Sequence, residues 1–146
     1  MKVGIACDHR GYKLKEKLKK YLLKKGYEVY DYGTDSNKSV DYPDFGILLG
    51  EKVRDKEVEF GIVICGTGIG ISIACNKVKG VRCARITNSR DAKETRIHND
   101  ANVVALNEKM FFFEAKDIVD SFLTTKYVET EKYQRRINKM LDYEAK

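Results

Sequence analysis

Residues 60–70 read "FGIVICGTGIG": an unbroken apolar run, then Cys65, then glycines at 66, 68 and 70. A short continuous apolar run closed by a glycine turn is the pattern of a strand covered on both faces, because a sheet with one wet face would alternate. The same pattern recurs outward from this point. "KVGIAC" (2–7), "YEVYDYG" (27–33), "GVRCARIT" (80–87) and "ANVVAL" (101–106) read as four further strands. Between them lie helical stretches. Leu14, Leu18, Tyr21 and Leu22 recur at i, i+4, i+7 and i+8, with Gly26 as a stop. Further helices are expected over Phe45–Lys56, "ISIACNKV" (71–78), "SRDAKETRI" (89–97) and "FFFEAKDIVDSFL" (111–123). Tyr133, Ile137, Met140 and Leu141 give a C-terminal helical tail at about 130–144. The polar stretch "TDSNKSVDYPD", which holds the only proline, Pro43, reads as a loop. Strands alternating with helices predict an α/β protein, a three-layer α/β/α sandwich with a five-stranded parallel sheet and a C-terminal helix. At 146 residues the expected organisation is one domain, 1–146, without linker or repeat.

Bulk properties exclude several classes. The apolar runs are strand-sized, so no membrane span is available, and no secretory leader pattern precedes "DHRG"; a cytoplasmic protein is the expectation. Four cysteines (7, 65, 75, 83) without a C-x-x-C pair and only two histidines argue against a disulfide framework and a structural zinc site. A net charge of +6 raises nucleic acid as a partner. The basic residues, however, are mostly lysines interleaved with glutamates, and "YKLKEKLKKYLLKK" reads as a solvated helix face. A small anionic substrate suits the same sign.

In a parallel sheet, sites form beyond the carboxyl ends of strands. Cys7-Asp8-His9 follows the first strand and Cys65–Gly70 the third. The glycine turn is neither a Walker loop, for no lysine follows, nor a dinucleotide fingerprint, for its spacing is 66, 68, 70 and it sits in the third βα unit. It is either a tight strand-to-helix turn or an anion cradle of unobstructed backbone N–H groups, holding a phosphate or an enediolate. Cys65 is either a small buried residue at a strand end or, at a helix start, a usable base or nucleophile. Asp8 is a candidate cap for the first helix. His98-Asn99-Asp100 precedes the fifth strand and so belongs at the opposite edge. Either its loop doubles back, or His98 completes a neighbouring subunit's site, the preferred reading. Cys75 and Cys83 read as core, as do two of Phe111, Phe112 and Phe113, the third marking a subunit contact.

"CDHRGYKLK", "DYPDFG", "CGTGIGISIACNKV" and "HNDANVVAL", in this order from residue 3 to about 125, together resemble the type B ribose-5-phosphate isomerase family, which includes allose- and galactose-6-phosphate isomerases. The resemblance implies a Rossmann-like fold, a homodimer or homotetramer with a shared active site, a sugar phosphate as ligand, and no metal or other cofactor. It makes Cys65 the base that moves a proton between C1 and C2. Gly66, Thr67, Gly68, Ile69 and Gly70 become the cradle for the enediolate, with the Thr67 hydroxyl added. His98 opens the furanose ring with help from Asp8. Asn99 holds a sugar oxygen, His9 touches the phosphate and Tyr42 packs beside the sugar. Such chemistry needs a base of matched pKa paired with fixed donors at the developing oxyanion.

The tail departs from the family pattern. Two phosphate-binding arginines correspond to Lys109 and Lys132, a histidine corresponds to Tyr133, and Arg136 remains. Lysine keeps the charge and loses the bidentate fork, so either phosphate binding is weaker or the natural substrate differs. Arg85, where the family has a small or apolar residue, is expected at an interface. Three readings stand: a ribose-5-phosphate isomerase, a hexose-6-phosphate isomerase, and a non-catalytic sugar-phosphate binding module.

Overall fold

The computed structural model describes residues 1–146. Five strands, β1 (Lys2–Cys7), β2 (Glu28–Asp31), β3 (Phe60–Cys65), β4 (Cys83–Arg85) and β5 (Val103–Asn107), alternate with α1 (Tyr12–Lys24), α2 (Tyr42–Arg54), α3 (Ile69–Cys75), α4 (Ser89–Asn99) and α5 (Phe112–Thr124), and α6 (Glu131–Glu144) closes the chain. The sheet order is β2-β1-β3-β5-β4 and every pairing is parallel. This is the three-layer α/β/α sandwich expected from the alternation of elements.

The strands at the centre are apolar throughout because both faces are covered. On one face Val3, Ile5, Ile62, Ile64, Val104 and Leu106 pack under α1, α4 and α5, through Leu14, Leu18, Leu22, Ala92, Ile118 and Phe122. On the other, Ala6, Val63, Val103 and Ala105 pack under α2 and α3, through Leu49, Val53, Ile71 and Cys75. Leu18 and Leu22 are fully buried, each worth about 1.5–3 kcal/mol relative to exposure. The helical spacing read in α1 therefore marks the face that meets the sheet.

Several boundaries move, for identifiable reasons. Pro43 lies not in a loop but in the first turn of α2, where its missing N–H has no intrahelical partner to lose. The helix accordingly starts at Tyr42 rather than Phe45. α3 covers 69–75 rather than 71–78 and is held at its start by Gly68, in the left-handed region at φ +77°. β4 shortens to three residues because it is an edge strand, paired only with β5. Of the three phenylalanines only Phe112 packs against the core; Phe111 and Phe113 are exposed and stack with centroids 5.7 Å apart. Cys75 is core, whereas Cys83 is half-buried on the edge strand.

Candidate active site

The order of the strands creates a crevice. β1 leads into α1 on one face of the sheet, whereas its neighbour β3 leads into α3 on the other. The two loops part at their shared carboxyl edge, the topological switch point at which ligands of open α/β sheets bind. Cys7-Asp8-His9 and Cys65–Gly70 flank this gap.

Asp8 is buried, and its Oδ1 accepts from the N–H groups of Arg10 and Gly11 at 2.9 and 3.2 Å. It thus closes the turn ahead of α1 rather than capping the helix itself, whose N-cap is Gly11. The His9 ring meets the backbone of Val40 through Nδ1 at 3.2 Å, which joins the end of β1 to the loop before α2. Tyr42, the first residue of α2, lays its ring against Gly70: a Cβ there would lie 2.8 Å from the ring. Sequence-distant Tyr42 and Gly70 therefore meet.

Cys65 ends β3 with its side chain beneath the glycine turn, where the Gly68 N–H donates to Sγ at 3.2 Å. The glycines of the turn serve different ends. Gly68 combines its positive φ with close approach to the Leu106 backbone, 2.9 Å from a would-be Cβ, so only glycine fits. Gly66 is uncrowded by comparison: a would-be Cβ meets only the Arg10 side chain, at 3.8 Å, an ordinary van der Waals contact. Thr67 is exposed; its Oγ1 accepts from the Ile69 N–H at 3.1 Å, and its carbonyl accepts from Arg85 Nε at 2.8 Å. Arg85, expected at an interface, is in this chain a clamp on the turn.

Lys109 also falls on this edge, two residues past β5, with its N–H donating to Asn107 Oδ1 at 2.7 Å. Sequence reading passed over Arg10 and Glu108, which pair at 3.3 Å beside Gly66. Nothing in sequence spacing signals that contact, for it spans 98 positions. Cys7 and Cys65 share the edge but not a face. Cys7 packs under α1 and Cys65 under α3, so the sheet stands between the thiols and no disulfide can join them. Burial pushes the Cys7 thiol up to about 12, leaving it protonated and inert.

His98 and Asn99 lie elsewhere. They form the last turn of α4, which leads into the amino end of β5, so the length of that strand, roughly 16 Å for five residues, separates them from the Cys65 edge. The loop does not double back. The His98 ring sits 4.9 Å from that of Tyr133 on α6, and His98, Asn99, Lys132, Tyr133 and Arg136 line a cleft of about 310 Å³. The tyrosine standing where a histidine was expected thus supports the His98 ring. Two further arginines brace this corner. Arg96, buried against the rings of Phe60 and Phe122, donates at 2.7 Å to both Asp100 Oδ1 and the Ala101 carbonyl. Arg82 reaches the same Asp100 at 3.3 Å. They fix the turn after α4, where Asp100 adopts a left-handed conformation. The site residues read from sequence therefore fall into two groups within one chain: Asp8, His9, Tyr42, Cys65–Gly70 and Lys109 at the carboxyl edge, and His98, Asn99, Lys132 and Arg136 at the amino edge. No group of three or more His, Cys, Asp or Glu side chains converges as metal ligands, and no helix is long and apolar enough to cross a membrane.

Such a molecule is of the doubly wound α/β class, with its topological switch point between β1 and β3. The chain belongs to the ribose/galactose isomerase family, whose model matches residues 3–140. It is 41% identical to ribose-5-phosphate isomerase B of Escherichia coli, over 93% of this chain and 91% of that one. The structure is similar to that of Clostridium thermocellum ribose-5-phosphate isomerase B, with a TM-score of 0.97, 49% identity, and coverage of 99% and 98% of the two chains. It is likewise similar to the Mycoplasma genitalium ribose-5-phosphate isomerase B solved with bound ribulose 5-phosphate, with a TM-score of 0.93, 38% identity, and coverage of 99% and 97%.

Proposed function

We propose that this chain, an isomerase by family, interconverts ribose 5-phosphate and ribulose 5-phosphate through a 1,2-enediolate with Cys65 as the base. The observation that carries the reading is the position of Cys65. Its sulfur accepts from the Gly68 N–H under a turn in which Gly66 is crowded by nothing closer than the Arg10 side chain, at the switch point between β1 and β3. On this reading the Cys65 thiolate takes the C2 proton of the open-chain aldose. The C–H electron pair becomes the C1=C2 bond, and O1 becomes the oxyanion that backbone donors of the 66–70 turn stabilise. The thiol then returns its proton to C1 while the O2 hydroxyl proton passes to O1 and O2 collapses to a carbonyl, which yields the ketose and restores the thiolate. No electron leaves the substrate, so the reaction as written needs no external oxidant or reductant.

Ring opening is a separate proton transfer and suits the imidazole of His98. Because His98 and Cys65 lie at opposite edges of one chain, the complete site would combine the amino edge of one subunit with the carboxyl edge of another. His98 and Asn99 would then face Asp8 and Cys65 of the neighbour. Lys132 and Arg136 would bring charge for the phosphate, joined by His9 and Lys109 from the other side. The sugar would lie beside Tyr42.

The deciding measurement is turnover of ribose 5-phosphate by wild-type protein and by Cys65→Ala. The variant keeps the fold, because the smaller side chain remains packed under α3, and loses about 10²–10⁴-fold in kcat, the scale of a general base. Near-normal turnover by Cys65→Ala would remove Cys65 from its role. Wild-type protein that neither isomerises the sugar nor exchanges its C2 proton with solvent would overturn the assigned activity.

A further inference from the structure

The outer surface of the α1/α5 layer carries charge that the isomerase site does not use. Lys17, Lys20 and Lys24 recur at i, i+3 and i+7 and so share one face of α1. Across from them stands Lys116 of α5. The four lysines, with Tyr21 and Phe112, line a cleft of about 250 Å³ that has no carboxylate in its wall. The rings meet edge-on at 6.2 Å and hold Lys116 by cation–π contact, its Nζ lying 5.2 Å from the Tyr21 centroid and 5.8 Å from that of Phe112.

No acidic side chain comes within 4.0 Å of any of the four ammonium groups, although Lys15, Lys19, Lys25 and Lys52 all have such partners. The nearby Asp120 is occupied: it accepts from the Tyr21 hydroxyl at 2.6 Å and lies 4.0 Å from Lys25. Asp117 is the other carboxylate that bears on Tyr21, and it too lies outside the wall. A helix C-terminus accounts for Lys24, which lies in the last turn at the negative end of the α1 dipole. It does not account for Lys116, which stands near the positive end of α5. Four ammonium groups around an apolar floor, with no carboxylate in the wall, make a patch of positive potential open to an anion.

We propose that this cleft binds a polyphosphate group, either the di- or triphosphate of a nucleotide or a short inorganic chain. Several phosphates in series match four cations spread along two helices, whereas one phosphate reaches only part of them. The rings offer no hydrogen-bonding groups to the floor, so recognition rests on charge and is steeply dependent on salt. Cys65 packs on the opposite face of the sheet, so this site is separate from the crevice and independent of the activity proposed for it.

The test is isothermal titration of the full chain with tripolyphosphate and with ATP at low and moderate salt. Three proteins are compared: wild type, a cleft variant (Lys17→Gln, Lys20→Gln, Lys24→Gln and Lys116→Gln together) and an amino-edge variant (Lys132→Gln with Arg136→Gln). Wild type and the amino-edge variant should bind alike, while the cleft variant binds about tenfold more weakly or worse, given the modest strength of each exposed ion pair. Its melting temperature and its turnover of ribose 5-phosphate should match wild type. Tighter binding of ATP than of tripolyphosphate points to a nucleotide, and equal binding to the inorganic chain. Loss of binding in the amino-edge variant with retention in the cleft variant overturns the proposal. So does saturable binding of a single-stranded RNA with neither probe bound.

Discussion

The two edges of the sheet are built on different principles. At the carboxyl edge the functional groups sit on backbone: a turn of bare glycines, a cysteine oriented by an N–H, an aspartate consumed in closing its own turn. At the amino edge they sit on side chains that project from two helices, α4 and α6, and are propped by arginines. Backbone sites suit diffuse charge that develops during a reaction, because the donors are already in place. Long cationic side chains suit a phosphate whose charge does not change. On the proposed mechanism, one edge would perform the carbon chemistry and the other would grip and open the sugar.

The largest effect should come from separating the edges genetically. Cys65→Ala and His98→Gln are each expected to be nearly inactive on ribose 5-phosphate. When the two variants are mixed and allowed to exchange subunits, a homodimer with shared sites should recover about a quarter of wild-type activity, because half of such dimers would be hybrids and each hybrid would have one intact site. No recovery, with exchange verified by mass spectrometry, would mean that the edges do not cooperate across subunits.

Next in size is the support beneath the carboxyl edge. Lys15 is 1% exposed, and its Nζ binds both oxygens of Asp31 at 2.8 Å and the Thr34 carbonyl at 2.7 Å. Thr34 in turn donates to the Cys7 carbonyl, directly before Asp8. Asp31→Asn leaves a buried ammonium short of its counter-charge and should cost about 2 kcal/mol or more in denaturant unfolding. Burial works against the ionised carboxyl, but Lys15, Lys19 and the Gly33 N–H outweigh it and hold Asp31 below its ordinary value. A lowered folded pKa means that this stabilisation is whole above the unfolded value, roughly pH 4, and fades as pH falls through the folded one. The wild type should therefore lose its advantage over Asp31→Asn as the medium is acidified through that window; a pH-independent difference between the two would refute the linkage.

A smaller pair of effects distinguishes the glycines. Gly68→Ala forces a side chain into the left-handed region and against the Leu106 backbone, a loss of about 1–3 kcal/mol. Gly66→Ala makes only an ordinary contact with the Arg10 side chain and should leave the melting temperature unchanged while lowering kcat. Equal melting temperatures for the two variants would contradict this division. Smallest of all, Lys132→Arg restores a planar fork at the amino edge and should lower KM a few-fold with kcat unchanged. A shift in kcat alone would place Lys132 in the chemistry rather than the grip.

Much of this architecture is legible in the chain itself. Short apolar runs closed by glycine turns read as strands covered on both faces, and the period of Leu14, Leu18 and Leu22 reads as a helix lying on them. That is enough to derive the layers and to place "CGTGIG" at a carboxyl edge, since a glycine turn between strand and helix has nowhere else to be. The motifs around Cys65 and His98 were readable for the same reason, being local. What escaped was non-local. Pro43 looked like a loop residue because a first helical turn and a loop accept proline equally well. Two of Phe111, Phe112 and Phe113 were expected in the core and only Phe112 packs there, because apolar character does not say which way a side chain faces.

Sequence alone determined the βα order, the buried faces and the composition of the glycine turn, because each depends on neighbours within a few residues. Only the tertiary structure decided that β1 and β3 stand side by side with their loops parting to opposite faces. It alone placed Cys7 and Cys65 on different sides of one sheet, Arg85 on the Thr67 carbonyl, and Arg10 beside Glu108. These are distances between residues tens of positions apart, set by the packing of whole elements, and no local pattern encodes them.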